Sequence, residues 1–487
     1  MKLLYLLHGT SIECPAGLEE TEVTGVTYNS QMVKKGNLFV CIKGYHTDGH
    51  EYAVDAAFRG ASVIVSEEEL DIKSVPVIKV ENSRRFLSKI SANYFENPEK
   101  RFRLYGVTGT NGKTTVTYML KNMIEAAGRP CGILGTISYR YGSKEYESVN
   151  TTPESYELQK MFAEMKSEGI EDCVMEVSSH ALAMGRVEDI TFDGAIFTNL
   201  TSDHMDFHKN AEEYFEAKKK LFSLCRGTST VNIDDEYGKR LYEDLKSQGK
   251  EVTGYSLKDK KADYFAEIIE TTEKGSTIRI TENTKNNEIL KINTPGIFMI
   301  YNGMAALACA RSAGLSFLAI QRGMAALKGV PGRFELVENE KGYLIIVDYA
   351  HTPDALEKVL KTAIDFKKGR LICIFGCGGD RDKKKRAFMG SIAGKYSDYC
   401  IITSDNPRTE KQENITADIE AGIYETGCNY EVIEKRYDAI KKAVSIYKKG
   451  DIILIAGKGH ETYQIIGTEK YHFDDKEAVK NIIENGE

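Results

Sequence analysis

The chain has little of several features that would fix its class at once. Its 487 residues include ten cysteines but no C-x-x-C pair, and the nearest two, Cys373 and Cys377, fall on either side of an expected strand end. That spacing argues against zinc or a disulfide framework and for free thiols in a reducing compartment. No apolar run approaches the ~20 residues that a membrane helix needs. The opening Met1-Lys2-Leu3-Leu4-Tyr5-Leu6-Leu7 stops at His8 and lacks a small-residue cleavage site, so it does not read as a signal peptide. Basic excess is missing too: at a net charge of −7, overall electrostatics favour neither nucleic acid nor an anionic membrane surface. Repeats and low-complexity tracts are absent. The expectation is a cytoplasmic protein with no nucleic-acid partner and no membrane insertion, long enough for roughly three domains.

What is present begins at residues 109–115. Gly109-Thr110-Asn111-Gly112-Lys113-Thr114-Thr115 follow the apolar residues 104–107 and precede Val116, Met119, Leu120, Met123, Ile124 and Ala127, which recur at helical spacing until Gly128 and Pro130. A strand, a glycine-bearing loop and a helix start in that order aim backbone N–H groups and a helix dipole at phosphate oxygens. Lys113 would reach the β- and γ-phosphates of ATP or GTP, and Thr114 would bind magnesium. Val107 stands where a standard phosphate loop has its first glycine. A bare strand-to-helix turn would explain the glycines, but not a lysine followed by two threonines.

Six apolar runs end in chemically capable clusters: Glu176 and Ser178, Asn199 with Asp203-His204, Asp348 with His351, residues 376–381, residues 405–408, and residues 457–461. Open α/β sheets bind ligands beyond the carboxyl ends of their strands, so the pattern predicts two α/β layers. The stripe Ala355, Leu356, Val359, Leu360, Ala363 and Ile364 predicts a helix between two of these strands. Pro98 and the basic residues 100–103 mark an expected linker, and the Gly/Pro cluster at 328–333 a second. The predicted domains are therefore 1–98, 99–333 and 334–487.

Individual residues carry competing readings. Glu176 interrupts an apolar strand, where a carboxylate needs a cation or several donors; a nucleotide's magnesium is one, and an exposed strand end the alternative. His204 is either a second metal ligand or a structural hydrogen-bonding group. In a helix over 214–222, Lys218 shares the apolar face with Tyr214, Leu221 and Phe222, unlike Lys219 and Lys220. It is either a snorkelling lysine or a neutral amine that forms a carbamate with carbon dioxide and becomes a magnesium ligand. Arg381 and Arg408 suit bidentate binding of an amino acid's carboxylate. Residues 383–386 read as a solvated positive face.

Taken together, the ordered motifs resemble the Mur ligases, ATP-dependent amide-forming enzymes of peptidoglycan precursor synthesis. The resemblance runs through residues 109–115, Asn150-Thr151-Thr152-Pro153, Glu176-Val177-Ser178-Ser179-His180, Asp203-His204, Ala217-Lys218, Asn302, Gly332-Arg333-Phe334-Glu335, Asp348-Tyr349-Ala350-His351-Thr352-Pro353 and residues 457–461. Asp405-Asn406-Pro407-Arg408 looks like the family's selector for meso-diaminopimelate over lysine. The resemblance implies an α/β protein of three domains, with a central P-loop ATPase-like parallel sheet and a Rossmann-like C-terminal domain.

It also implies roles. Lys113, Glu176, His204 and Lys218 would be catalytic, with Thr114, Glu176, His204 and carbamylated Lys218 on Mg2+. Residues 109–115, Asn302, Arg333 and Asp348 would hold ATP. Ser30, His46, Asn150, Thr151, Thr152, Ser178 and Arg186 would hold UDP-N-acetylmuramoyl-L-alanyl-D-glutamate. Arg381, Asp405, Asn406, Pro407, Arg408, Gly457 and Glu461 would hold diaminopimelate, in a monomeric enzyme. Gln31, Met184 and Met299 depart from the family pattern. The competing activities are a lysine-adding ligase, a folylpolyglutamate synthase-like ligase and a nucleotide-binding regulator without catalysis.

Overall fold

Residues 1–44, 47–205, 207–283 and 286–484 are described by a computed structural model of the chain. They form two compact units, one of residues 1–108, 128–195 and 216–229, the other of 109–127, 196–215 and 230–487. The architecture is mixed α/β with parallel sheets.

In the first unit, Gly25–Thr27, Asn37–Val40, Val63–Ser66 and Val77–Lys79 pair in parallel in chain order. Their side chains alternate between two buried faces, as a parallel sheet covered on both sides requires. Leu38, Val40, Val63 and Val65 meet Leu3, Leu6, Leu87 and Ile90, whereas Phe39 and Ile64 meet Ala53 and Ala56. The helix Ser83–Tyr94 starts where the Asn82 side chain accepts the Arg85 N–H. The expected linker is more ordered than its composition suggests: Pro98–Arg101 is a 3-10 helix with Pro98 and Glu99 buried. The strand Arg103–Thr108 follows directly and pairs in parallel with Asp172–Glu176, which pairs in parallel with Cys131–Leu134. At the start of these strands Arg103 and Arg129 converge on the fully buried carboxylate of Asp172.

In the second unit the phosphate loop leads into the helix Lys113–Ala126, against which Ile297–Ser312 and Phe317–Ala326 pack. Its helical stripe is buried as the sequence predicts at Val116, Met119, Leu120, Met123 and Ile124, whereas Ala127, which caps the helix end, is exposed. Farther along is a six-stranded sheet in the order Glu335–Leu336, Leu344–Asp348, Ile452–Ala456, Leu371–Phe375, Tyr399–Ile402, Tyr430–Val432, parallel except at its first strand. Arg436–Ser445 and Asp475–Glu484 cover one face through Ala439, Ile440, Val479 and Ile482. Pro353–Ile364 begins with Pro353 after a Thr352 cap, an arrangement that satisfies a free N–H and needs none from proline. The sheet's topology puts the loops 349–352, 376–381, 403–410 and 457–461 at the carboxyl ends of the four central strands. Among the described residues no helix is long and apolar enough to cross a membrane.

Candidate functional site

The phosphate loop is held open by its own backbone and by the strand end beside it. Thr110 N–H donates to Asn199 O at 2.8 Å and Asn111 N–H to Asn199 Oδ1 at 3.1 Å. Lys113 Nζ folds back to the carbonyls of Gly109 and Thr110, at 3.0 and 2.8 Å. Gly112 has φ +89°, and a Cβ there would lie 2.2 Å from Asn302 Oδ1, so both the backbone conformation and the contact with Asn302 demand glycine. Asn302 is thereby placed against the loop although it lies far away in sequence. The Thr114 and Thr115 side chains are buried in the first turn.

Arg333 reaches the same turn. Its Nη2 donates to Thr114 Oγ1 at 3.0 Å, and its guanidinium lies 4.8 Å from the centre of the Tyr349 ring. Its Nε–H is buried without an acceptor among the described residues, an arrangement that an anionic ligand would complete. Asp348 accepts the Phe334 N–H at 2.6 Å. Burial pushes its carboxyl up to about 6, against the opposing charge of Arg333. Asp203 behaves oppositely: burial alone would raise it, but His204, His351 and Lys385 hold it below the usual carboxylate range. His204 has φ +56° and sits with Nε2 3.4 Å from Asp203. His351 donates to the Tyr349 carbonyl, and burial together with Lys385 lowers its basicity.

Glu176 is only 1 % exposed, and its two oxygens accept the Thr136 N–H at 2.8 Å and the Thr136 hydroxyl at 3.0 Å. No cationic side chain pairs with it among the described residues, so the reading as an exposed strand end does not hold. A buried carboxylate with neutral donors alone is suited to a divalent cation. Around it the structure gathers several residues singled out in the sequence. Thr152 Oγ1 donates to Glu176 O at 2.9 Å and accepts the Ser178 N–H at 3.0 Å, Thr151 and Thr136 hydroxyls meet at 3.1 Å, and Arg186 donates to Thr152 O at 3.0 Å. The Asn150 carbonyl accepts from Tyr139. Sequence reasoning missed Glu154, which both Arg84 and Arg186 approach at 2.5 and 3.3 Å. Ser30 is buried at the start of a 3-10 turn capped by Asn29. His46 lies outside the described residues. Lys218 is 1 % exposed within the helix Ala211–Ser223, whereas Lys220 is exposed, as the helical spacing predicts.

The loops 376–381 and 403–410 form one body. A Cβ on Gly379 would lie 1.8 Å from the Pro407 carbonyl, so only glycine allows this approach. Arg408, at φ +52°, donates to Gly379 O at 2.9 Å. Asp380 accepts the Thr409 N–H and hydroxyl at 3.0 and 2.9 Å. Arg381 is exposed. The reading of residues 383–386 as a solvated face requires correction. Arg386 is completely buried: it grips Glu410 with two nitrogens at 2.9 and 2.7 Å, reaches Asp418 at 2.9 Å and donates to Gly378 O at 3.2 Å. Lys383 adds a bridge to Glu410 at 2.9 Å, and Lys385 donates to His351 O. Arg386 above all draws the Glu410 carboxyl down to about 2. A run of positive charge shows polarity, but it does not reveal that two distant carboxylates close over one of its members.

The fourth loop completes the group. A Cβ on Gly457 would lie 2.7 Å from Asp405 Oδ2, and Asn406 Nδ2 donates to Glu461 at 2.9 Å. Lys458, between Gly457 and Glu461, is fully buried, although the sequence assigns it no individual role within the cluster 457–461. The sequence does not single out Arg436, a buried partner of Asp475 that also donates to Ala456 O at 3.0 Å. Of the departures, Gln31 is exposed, Met184 receives an N–H from Arg186 on its sulfur at 3.7 Å, and Met299 is core, 2 % exposed.

Three family models match in succession: the Mur ligase family catalytic domain over residues 22–95, the Mur ligase middle domain over 107–310, and the Mur ligase glutamate ligase domain over 332–459. The UDP-N-acetylmuramoyl-L-alanyl-D-glutamate–2,6-diaminopimelate ligase of Clostridioides difficile strain 630 is 46 % identical over 483 residues, covering 99 % of each chain. The protein of the same name from Caldanaerobacter subterraneus subsp. tengcongensis is 43 % identical and covers 100 % of both. A solved structure of a ligase with that name has a TM-score of 0.71 at 30 % identity, spanning 100 % of this chain and 99 % of its own.

Proposed function

Because this chain belongs to the Mur ligase family, we propose that it joins meso-diaminopimelate to UDP-N-acetylmuramoyl-L-alanyl-D-glutamate at the expense of ATP. It is an amide-forming ligase of peptidoglycan precursor synthesis. A carboxylate does not condense with an amine in water because its oxygen is a poor leaving group. Transfer of the ATP γ-phosphoryl to the D-glutamate side-chain carboxylate gives an acyl phosphate. The diaminopimelate amine then attacks that carbonyl carbon, and the bond to phosphate breaks.

Lys113 and the N–H groups of residues 109–115 are assigned to the phosphates, with Asn302, Arg333 and Asp348 holding the rest of the nucleotide. The buried Nε–H of Arg333, which has no acceptor among the described residues, supports this. Glu176, which among the described residues has neutral donors alone, fits Mg2+, and Thr114, His204 and carbamylated Lys218 are proposed as further ligands. Bound there, Mg2+ would offset charge on the transferring phosphoryl group. Residues 150–152, Ser178, Arg186, Ser30 and His46 are assigned to the UDP-linked substrate, with Arg186 acting from the Thr152 carbonyl that orients it. Arg381, residues 405–408, Gly457 and Glu461 are assigned to diaminopimelate. Domain limits near 98 and 333, a cytoplasmic location and a monomeric state complete the proposal. The spans of the three family models support the limits.

The observation that carries the amino-acid assignment is Arg408, fixed by the Gly379 carbonyl in a loop that Asn406 joins to Glu461. ADP release tests it: turnover should require both the UDP-linked dipeptide and diaminopimelate, and lysine should not replace the latter. Arg408→Ala should raise KM for diaminopimelate far more than KM for ATP; equal losses would refute the assigned role. Lys218→Ala should abolish turnover, with partial rescue by short carboxylates, and an unaffected variant would exclude the carbamate.

A further inference from the structure

Lys458 has an ammonium group with no route to solvent: the residue is 0 % exposed, inside a loop assigned above only through its neighbours Gly457 and Glu461. Its Nζ lies 3.1 Å from Glu461 Oε2 and 3.4 Å from Asn406 Oδ1, and 5.5 Å from the centre of the Tyr463 ring. Asn406 closes a triangle, donating through Nδ2 to Glu461 Oε2 at 2.9 Å while its Oδ1 also accepts the Ile465 N–H at 2.9 Å. The amide therefore has one orientation: its oxygen serves two donors and its nitrogen serves the carboxylate.

A buried ammonium is costly unless it is paired, and Lys458 has Glu461 as its partner, with a second acid nearby. Asp405 lies beside Gly457, with its Oδ2 2.7 Å from where a Cβ of that glycine would stand. Two carboxylates, Asp405 and Glu461, thus lie close enough to act on each other, and Lys458 pairs with Glu461. Arg436 is the other nearby cation: it donates to Asp475 and the Ala456 carbonyl, and its charge also acts on Asp405 and Glu461. Three carboxylates, Asp405, Glu461 and Asp475, face the two cations Lys458 and Arg436, so the local balance is anionic and suits a substrate ammonium, while the guanidinium of Arg408, 3.5 Å from the Asn406 carbonyl, suits a carboxylate.

We propose that Lys458 is a positioning residue for the amino-acid substrate: its buried charge keeps Glu461 an acceptor and aligns it with Asn406, so that the pair receives the ammonium of a zwitterionic head group. This rests on the function proposed above and deepens it. The groups facing Glu461 are Lys458 on its own loop, Asp405 and Asn406 after the strand Tyr399–Ile402, Tyr349 after Leu344–Asp348, Tyr463 in Tyr463–Ile466, and Arg436 on its helix. Burial pushes the Glu461 carboxyl up, Asp405 adds to that, and Lys458 is the foremost opposing influence. Removing Lys458 raises it further, so the substrate's acceptor is protonated at higher pH.

The experiment compares full-length wild type with Lys458→Met and Lys458→Arg, measuring KM for diaminopimelate, KM for ATP and the pH profile of kcat/KM for diaminopimelate. In Lys458→Met, KM for diaminopimelate should rise at least about tenfold, while KM for ATP stays within about twofold and the acidic limb moves up by about one pH unit. Lys458→Arg, which keeps the charge, should leave the limb in place. If the methionine variant does not fold, Lys458→Gln, which keeps an N–H donor for Asn406, carries the same expectation. A limb that stays put in the neutral variants, or equal losses towards ATP and diaminopimelate, overturns the assignment to Lys458. No ligation of diaminopimelate by wild type overturns the proposed function, and this inference with it.

Discussion

Asp348 and Arg386 show how far single residues depart from what their type predicts. Asp348 is buried, and its carboxyl rises from 3.8 to about 6 on folding. The sign follows: an acid whose folded value is raised holds its proton more firmly in the native state, so its contribution to stability is full below about 3.8 and is lost as pH rises through about 6. Asp348→Asn should abolish this dependence. Relative to wild type it should gain about 2–3 kcal/mol between pH 4 and pH 7, read from urea midpoints at each pH. Arg386→Met should cost about 3–5 kcal/mol in the same assay, because Glu410 and Asp418 lose the guanidinium between them. A loss below about 0.5 kcal/mol would mean that the residue is solvated after all. The tetrad Lys383-Lys384-Lys385-Arg386 reads as surface because local sequence carries charge and spacing only; which member is buried depends on residues 24 and 32 positions later.

At the scale of elements, the sequence was legible where apolar content and length agree. The runs at 371–375 and 452–456 are the strands Leu371–Phe375 and Ile452–Ala456, and the stripe at 355–364 lies in the helix Pro353–Ile364. What was not legible is how closely the connecting loops approach one another. Gly379→Ala puts a methyl group into the Pro407 carbonyl and should separate the two arginine-bearing loops. Calorimetric titration should show diaminopimelate binding weakened at least about tenfold with ADP binding unchanged. Gly112→Ala should do the reverse, since its φ of +89° and the Asn302 contact belong to the phosphate loop. If either substitution weakened both ligands alike, the separation of the two binding functions would be wrong. The 3-10 helix Pro98–Arg101 is a further case: proline and basic residues suggest a linker, but Pro98 and Glu99 are buried.

Across the whole molecule, all ten cysteines are thiols rather than disulfides, and seven of them are buried. A denatured sample should therefore titrate ten thiols per chain, and reductant should leave the melting temperature unchanged; fewer thiols would reveal a covalent link. The sequence by itself determined the chemistry available: a phosphate-holding loop before a helix, a carboxylate closing an apolar strand, an Asp-Asn-Pro-Arg turn, and enough alternating apolar segments for parallel α/β sheets. These are local properties, set by composition and by periods of two and 3.6 residues. Only the tertiary structure decided which charges are buried and with whom: Arg333 at Thr114, Asn302 at Gly112, Arg386 at Glu410, Lys458 between Asn406 and Glu461. The physical reason is that desolvation and pairing depend on neighbours supplied by distant segments, and no local pattern encodes which segment arrives.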